Sequence, residues 1–331
     1  MKKKTLNSKR VLMFCANFFG YDKRICQALR DEGYEVDLFD EKPSSSFVAK
    51  ACIRYNVGLY RPQVKKYIES VISENAGKQY DYVFVVKGEA INNEALSLLR
   101  KAYPNARFVL YLWDSVQNIP DCERRMTLYD KVLTFDPADA KKYDIPYVSL
   151  PYGKEHINCE IVSQYEYDVA FIGTAHSVRP RVVKQIQQQC EENERKCFVY
   201  FYSPHILVFL LNKLINRDFR WIRKSEIHFE TLSAEEVCRI YNASKCVLDI
   251  EHPRQKGTTA RPVEMLPMKK KIITTNFSVS DFPFYKPNNF YIIDRNDPKV
   301  DVSFFDSEYS QVEDEILEQY SPSSFVKAIM G

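Results

Sequence analysis

Gly257-Thr258-Thr259, followed by Arg261, Pro262 and Glu264, is the group of residues with the clearest chemistry. The glycine and threonines offer backbone N–H groups and hydroxyls just ahead of a helix start. That end of a helix carries about half a positive charge and unpaired N–H donors, so it suits an anion such as a phosphate. Arg261 adds a permanent cation, and Pro262 suits the first helical turn. Glu264 lies one turn further on, where its carboxylate can accept hydrogen bonds from a sugar diol. Phosphate donors and a diol acceptor one turn apart point to a nucleotide. Plainer readings stand beside these: Glu264 as a surface acid paired with a lysine of 269–271, and Arg261 in an ordinary salt bridge.

Other candidates sit where apolar runs end. Gly173-Thr174 closes the run 167–174 and reads as a second diphosphate contact or simply a turn, with His176 and Arg179 following in the same loop. His228, Glu251 and His252 are candidates for the nucleobase or sugar, although a lone histidine is more often structural. A reaction at a substrate hydroxyl needs a group to take its proton. Asp114, delivered by the apolar run 107–113, and Glu89, after Lys87-Gly88, are the candidate bases. Asp114-Ser115 also reads as a helix N-cap, and Asp136 before Pro137 more so. Lys87 suits an acceptor phosphate, and Asn17, in the loop after the first strand, joins Lys87 and Asp136 on the acceptor side. No D-x-D triplet occurs. Paired carboxylates of that kind carry Mg²⁺ or Mn²⁺ against a diphosphate. Helix dipoles and arginine are expected to do that work here, with no metal and no cofactor.

The elements that must position these residues follow from length and periodicity. At 331 residues the chain exceeds the roughly 250–300 at which one core stops growing. Composition is globular, with 45% hydrophobic and 27% charged residues, and a net charge of +3 makes no case for nucleic acid. Nine cysteines without a C-x-x-C pair fit reduced thiols in a cytoplasmic protein. Neither a signal peptide nor a spanning run is evident. Strand patterns at 10–15, 34–39, 80–86, 107–113, 129–135 and 147–150 alternate with helical ones, with a break expected at Arg61-Pro62. A second α/β series begins at 167 and includes 197–201, 245–250, 271–276 and 289–293. The expectation is an α/β protein of two Rossmann-like domains, 1–155 and 165–305. An acidic segment and helix, 306–331, would pack back on the first domain. The G-x-G-x-x-G dinucleotide fingerprint is missing, which disfavours an NAD-dependent oxidoreductase.

This layout resembles the GT-B glycosyltransferases. Residues 245–276 are similar to their donor-binding segment, and 111–115 and 135–140 resemble bacterial members that build surface polysaccharides such as capsule and lipopolysaccharide. The resemblance implies two domains facing a cleft, with the first presenting the acceptor. The second would hold a nucleotide-sugar donor through Gly173, Thr174, Arg179, His228, Gly257, Thr258, Thr259, Arg261 and Glu264. It implies transfer to a glycan or lipid-linked glycan acceptor. Many relatives carry a second acid eight residues before the helix glutamate, where this chain has Lys256. The alternative is a non-catalytic nucleotide-sugar or glycan-binding protein of the same fold.

Residues 205–224 are apolar, then basic and aromatic, and too short and charged to span a membrane. They read as a helix packed on its domain, or as an interfacial helix on an anionic membrane surface. The second reading adds a peripheral position on the inner face of the cell membrane. The basic terminus Met1-Lys2-Lys3-Lys4 reads as frayed, or as a weaker lipid contact.

Overall fold

A computed structural model describes residues 8–43, 57–159, 162, 164–251 and 257–331. His252, Lys256 and the Met1–Lys4 terminus lie outside the described residues. The chain divides into two units: Met1–Leu150 with Pro322–Gly331, and Pro151–Ser321.

In the first unit, β1 (Arg10–Phe14), β2 (Glu35–Phe39), β3 (Tyr82–Val86), β4 (Arg107–Leu112) and β5 (Lys131–Thr134) form one sheet in the order β2-β1-β3-β4-β5. All its pairings are parallel. A parallel sheet is covered on both faces, so its strands read as continuous apolar runs. Alternate residues then serve opposite cores. Leu12, Phe14, Val83, Val85 and Phe108 pack with residues of the helices Val57–Glu74 and Asn93–Ala102. Val11, Met13, Phe84, Val86 and Tyr111 pack with Ile25 and Leu29 of the helix Tyr21–Asp31.

That second core is completed by the last helix, Pro322–Met330, through Phe325, Val326 and Ile329. The Phe325 ring meets Tyr111 edge-on at 5.1 Å, and the Tyr82 hydroxyl donates to the Met330 carbonyl at 2.9 Å. Residues 306–321 stay with the second unit.

Two expectations need correcting. The helix Val57–Glu74 runs through Pro62 without ending there. The proline forfeits one backbone hydrogen bond near the helix start, while Val64, Ile68 and Val71 of the same helix are buried. Residues 147–150 form no strand. Tyr147 makes a single parallel bridge to Thr134.

The second sheet contains β6 (Tyr167–Thr174), β7 (Cys197–Tyr202), β8 (Ile227–His228), β9 (Ser244–Asp249), β10 (Lys271–Thr274) and β11 (Phe290–Ile292). Its order is β11-β10-β9-β6-β7-β8, again all parallel. The chain builds outward from β6 to β8, returns to the middle at β9, and builds outward the other way. Connections leaving β6 and β9 therefore diverge. The crevice they leave at the strands' carboxyl ends is where open α/β sheets bind ligands. The two Rossmann-like halves and the α/β class are as expected. Among the described residues no helix is long and apolar enough to cross a membrane.

Candidate functional site

The switch point of the second sheet gathers most of the expected donor residues. Gly173 and Thr174 end β6, and Asp249 ends β9 directly beside it in the sheet. Arg179 opens the helix Arg179–Glu192 and crosses the gap: its Nε donates to the Ile250 carbonyl at 2.6 Å and its Nη1 to the Thr174 carbonyl at 3.3 Å. Its Nη2 makes no hydrogen bond among the described residues. No side chain caps this helix at Val178. An uncapped helix start at the first strand's carboxyl end is the standard place for a phosphate in this topology. A Cβ on Gly173 would lie 3.0 Å from the Phe171 ring and 3.6 Å from Arg179 Nη1, so the backbone approaches closely there.

The stretch from Gly257 packs against the same place. Thr259 precedes a six-residue helix, Ala260–Met265, but its side chain does not cap it; its hydroxyl instead donates to Asp249 Oδ1 at 2.9 Å. Arg261 turns inward. Its Nε donates to the Tyr241 hydroxyl at 3.0 Å, Nη2 to the Ile172 carbonyl at 2.6 Å, and Nη1 to Asp249 Oδ1 at 3.2 Å. Burial works against the Arg261 charge, but Tyr241, Asp249 and Glu264 outweigh it and hold the pKa above its ordinary value. Arg179 has less support. Burial, then repulsion from Arg261, push its pKa down to about 10. Asp249 and Glu251 offset only part of that burial and repulsion, so the Arg179 charge at this uncapped helix start is under-supported. An anion bound beside Arg179 would favour its charged form.

Glu264 and Thr258 are buried beside Arg261, and the Gly257 carbonyl accepts from the Asn276 amide at 3.5 Å. Glu264 is therefore no exposed surface acid, and two of the neighbouring lysines point elsewhere. Lys270 donates to the Asn242 carbonyl at 2.6 Å and Lys271 to the Ser307 carbonyl at 2.7 Å. Glu251 is buried and ion-paired with Arg295, and it accepts from the Thr275 hydroxyl at 2.5 Å. His176 sits in the β6 loop against the Ser177 hydroxyl, 3.2 Å away. His228 stands apart from this group. It is on β8 at the sheet edge, two strands from β6, with its ring stacked on Tyr200 at 4.0 Å.

In the first unit, the carboxyl ends of β3 and β4 bring Lys87, Glu89 and Asp114 together. Lys87 Nζ lies 3.4 Å from Glu89 Oε2 and 3.3 Å from Asp114 Oδ2. Lys42 joins Glu89 Oε2 at 2.9 Å. Lys87 has φ 71 and Gly88 φ 71, a strained pair for the lysine, held by the chain around it. Arg125 Nη1 donates to the Gly88 carbonyl at 2.5 Å and the Glu89 carbonyl at 3.1 Å, and Glu41 Oε2 accepts from the Gly88 N–H at 3.0 Å.

The two candidate bases differ in setting. Burial works to raise the Glu89 carboxyl, but Lys87 and Lys42 outweigh it and hold it below the usual range. Asp114 is more exposed, and its Oδ1 accepts from the Ser115 N–H at 3.0 Å and the Asn118 amide at 2.9 Å. Asp136 is buried. It caps the helix Pro137–Tyr143 through Ala138 N–H at 2.9 Å and accepts from the Ser115 hydroxyl at 2.6 Å. Asn17 is exposed in the loop after β1, next to Phe18. Phe18 and Tyr21 lie within 6.4 Å of Trp113, the residue before Asp114.

Sequence reasoning missed Asp249, Glu41, Lys42 and Arg125. Asp249 had a signal: a carboxylate between the apolar residues Cys246-Val247-Leu248 and Ile250 needs a buried partner. The other three rest on contacts between segments distant in sequence.

No family model matches the chain, and no curated protein matches it in sequence. Solved structures do match. A glycosyltransferase from Rickettsia africae aligns at a TM-score of 0.61 and 12% identity, over 98% of this chain and 97% of that one. The Anabaena protein HepE, in complex with UDP-glucose, gives 0.60 and 11%, over 97% and 98%. The UDP-GlcNAc 2-epimerase of Methanocaldococcus jannaschii gives 0.53 and 11%, over 97% and 99%. The chain thus has the fold of the two-domain GT-B glycosyltransferases, a fold that sugar-nucleotide epimerases share.

Proposed function

We propose that the protein is a glycosyltransferase that moves a sugar from a nucleotide-sugar donor to a hydroxyl of a cell-surface glycan precursor, in the cytoplasm and without a metal. What carries this reading is the β6–β9 switch point. It joins an uncapped helix start, a close backbone approach at Gly173 and an Arg179 whose Nη2 makes no hydrogen bond among the described residues. The structural likeness to HepE, seen with UDP-glucose, supports the choice of ligand.

In this reading the donor diphosphate lies at the Arg179–Glu192 helix start, against Thr174 and Arg179. Arg261 is a positioning residue that ties the Gly257–Glu264 stretch to β6 and β9. Glu264 accepts from the ribose hydroxyls. The acceptor oxygen attacks the anomeric carbon, and the bond from that carbon to the diphosphate oxygen breaks. The nucleoside diphosphate leaves with the electron pair, its charge held by Arg179 and the helix dipole. In the first unit, Asp114 takes the acceptor proton, while Lys87 and Lys42 offer charge for a phosphate on the acceptor.

A thermal-shift screen of UDP-, GDP-, CMP- and TDP-sugars tests the donor. A donor at about 100 times its Kd stabilises by about 2.7 kcal/mol. The donor that stabilises is then offered with glycan acceptors, with and without EDTA. Transfer that survives EDTA supports the whole reading. Binding with neither transfer nor hydrolysis overturns the enzyme in favour of a sugar-nucleotide binding protein. Activity lost in EDTA and restored by Mn²⁺ overturns metal independence.

A further inference from the structure

The helix Ile206–Ile215 carries an apolar stripe that its own unit leaves uncovered. Leu207, Leu210, Leu211, Leu214 and Ile215 follow the spacing of one helix face and are 44 to 85% exposed. Such a stripe ordinarily faces the core. Here the other side of the helix does. Phe209 is buried against Phe219, their ring centroids 6.2 Å apart, and Lys213 Nζ reaches inward to the Ile222 carbonyl at 2.7 Å. His205 caps the helix start by accepting from the Leu207 N–H at 3.1 Å. The helix is anchored with its leucines outward.

The residues that follow are sorted by charge. The acids turn inward: Asp218 pairs with Arg181 at 2.9 Å and Glu226 with Lys184 at 2.6 Å. The cations Arg217, Arg220, Arg223 and Lys224 are exposed, and none forms an ion pair among the described residues. Trp221, between them, is 41% exposed.

We infer that residues 206–224 dock the second unit on an anionic lipid surface. The leucine stripe enters the boundary between headgroups and acyl chains, Trp221 sits at the interface, and the cations meet the headgroups. A second copy of the chain fits less well, because a two-fold contact sets the same patch, with its unpaired cations, against itself. The inference does not depend on the donor site, since none of these residues belongs to it.

Vesicle flotation of the full chain tests it. The protein is expected to float with vesicles of phosphatidylcholine plus phosphatidylglycerol, not with phosphatidylcholine alone, and binding is expected to weaken as salt rises. Leu211→Gln with Leu214→Gln alters only exposed side chains, so thermal melting stays unchanged while binding falls at least about tenfold. Arg220→Gln with Arg223→Gln lowers binding to anionic vesicles by about tenfold. No flotation of the wild-type chain, or equal flotation of the leucine variant, overturns the proposal. So does a dimer in sedimentation velocity that the leucine variant dissociates while vesicles go unbound.

Discussion

The Arg261 guanidinium lies 3.2 Å from Asp249 Oδ1, and the Asp249 side chain is almost wholly buried. This pair ties the Ala260–Met265 helix to the end of β9, and the Arg261 bond to Ile172 extends the tie to β6. Arg261→Ala strands a buried carboxylate, and the expected loss is about 3–5 kcal/mol in urea unfolding. Replacing both partners by apolar residues costs much less. A loss below about 1 kcal/mol in the single variant would reject the structural role.

Gly173→Ala separates stability from binding. The new methyl meets the Phe171 ring at 3.0 Å and lies beside Arg179, so a stability loss of about 1–3 kcal/mol is expected. The larger effect is expected on the donor. The thermal shift given by a stabilising nucleotide sugar should shrink beyond what the lower starting Tm explains. An unchanged shift places the diphosphate elsewhere.

Asp114 and Glu89 are distinguishable by kinetics. Asp114→Asn is expected to cut kcat by about 10²-fold or more while the donor Kd measured by calorimetry stays the same. Glu89→Gln removes the carboxylate that holds Lys42 and Lys87, so its main expected effect is on the acceptor KM. If the two kinetic patterns are reversed, Glu89 is the base.

Glu41 gives the fold a pH dependence opposite in sign to that of most carboxylates. Burial pushes its pKa up to about 7, against the attraction of Lys42 and Lys87 for the carboxylate. Below about pH 4 both folded and unfolded chains hold the proton. Between that value and pH 7 the unfolded chain releases it first, so the folded state is disfavoured progressively as pH rises. Glu41→Gln can keep an acceptor for the Gly88 N–H and is expected to gain on the wild type across that window, by about 3 kcal/mol at pH 8. A stability difference flat in pH from 4 to 8 rejects the shift.

Much of the candidate site could be proposed from sequence because its residues are close together along the chain. Gly257-Thr258-Thr259 and Glu264 lie within eight residues of each other in sequence, and Asp136 before Pro137 announces a cap that the structure contains. The setting of Arg179 was not legible, for the opposite reason. Its contacts are to the Thr174 carbonyl at the end of β6 and the Ile250 carbonyl just past β9, which no local pattern brings together. Pro62 misled because the local rule against proline was weighed without the burial of Val64, Ile68 and Val71 in the same helix.

The sequence by itself determined that this chain is two parallel α/β halves. Apolar runs separated by helices bury both faces of a sheet, and that pattern is written along the chain. Only the tertiary structure decided that β9 lies beside β6, which creates the crevice at Gly173 and Asp249. It also decided that Pro322–Met330 covers the first sheet and that the 206–215 leucines face outward. Strand neighbours and helix faces are chosen by packing between distant segments, and periodicity carries no information about which partner wins.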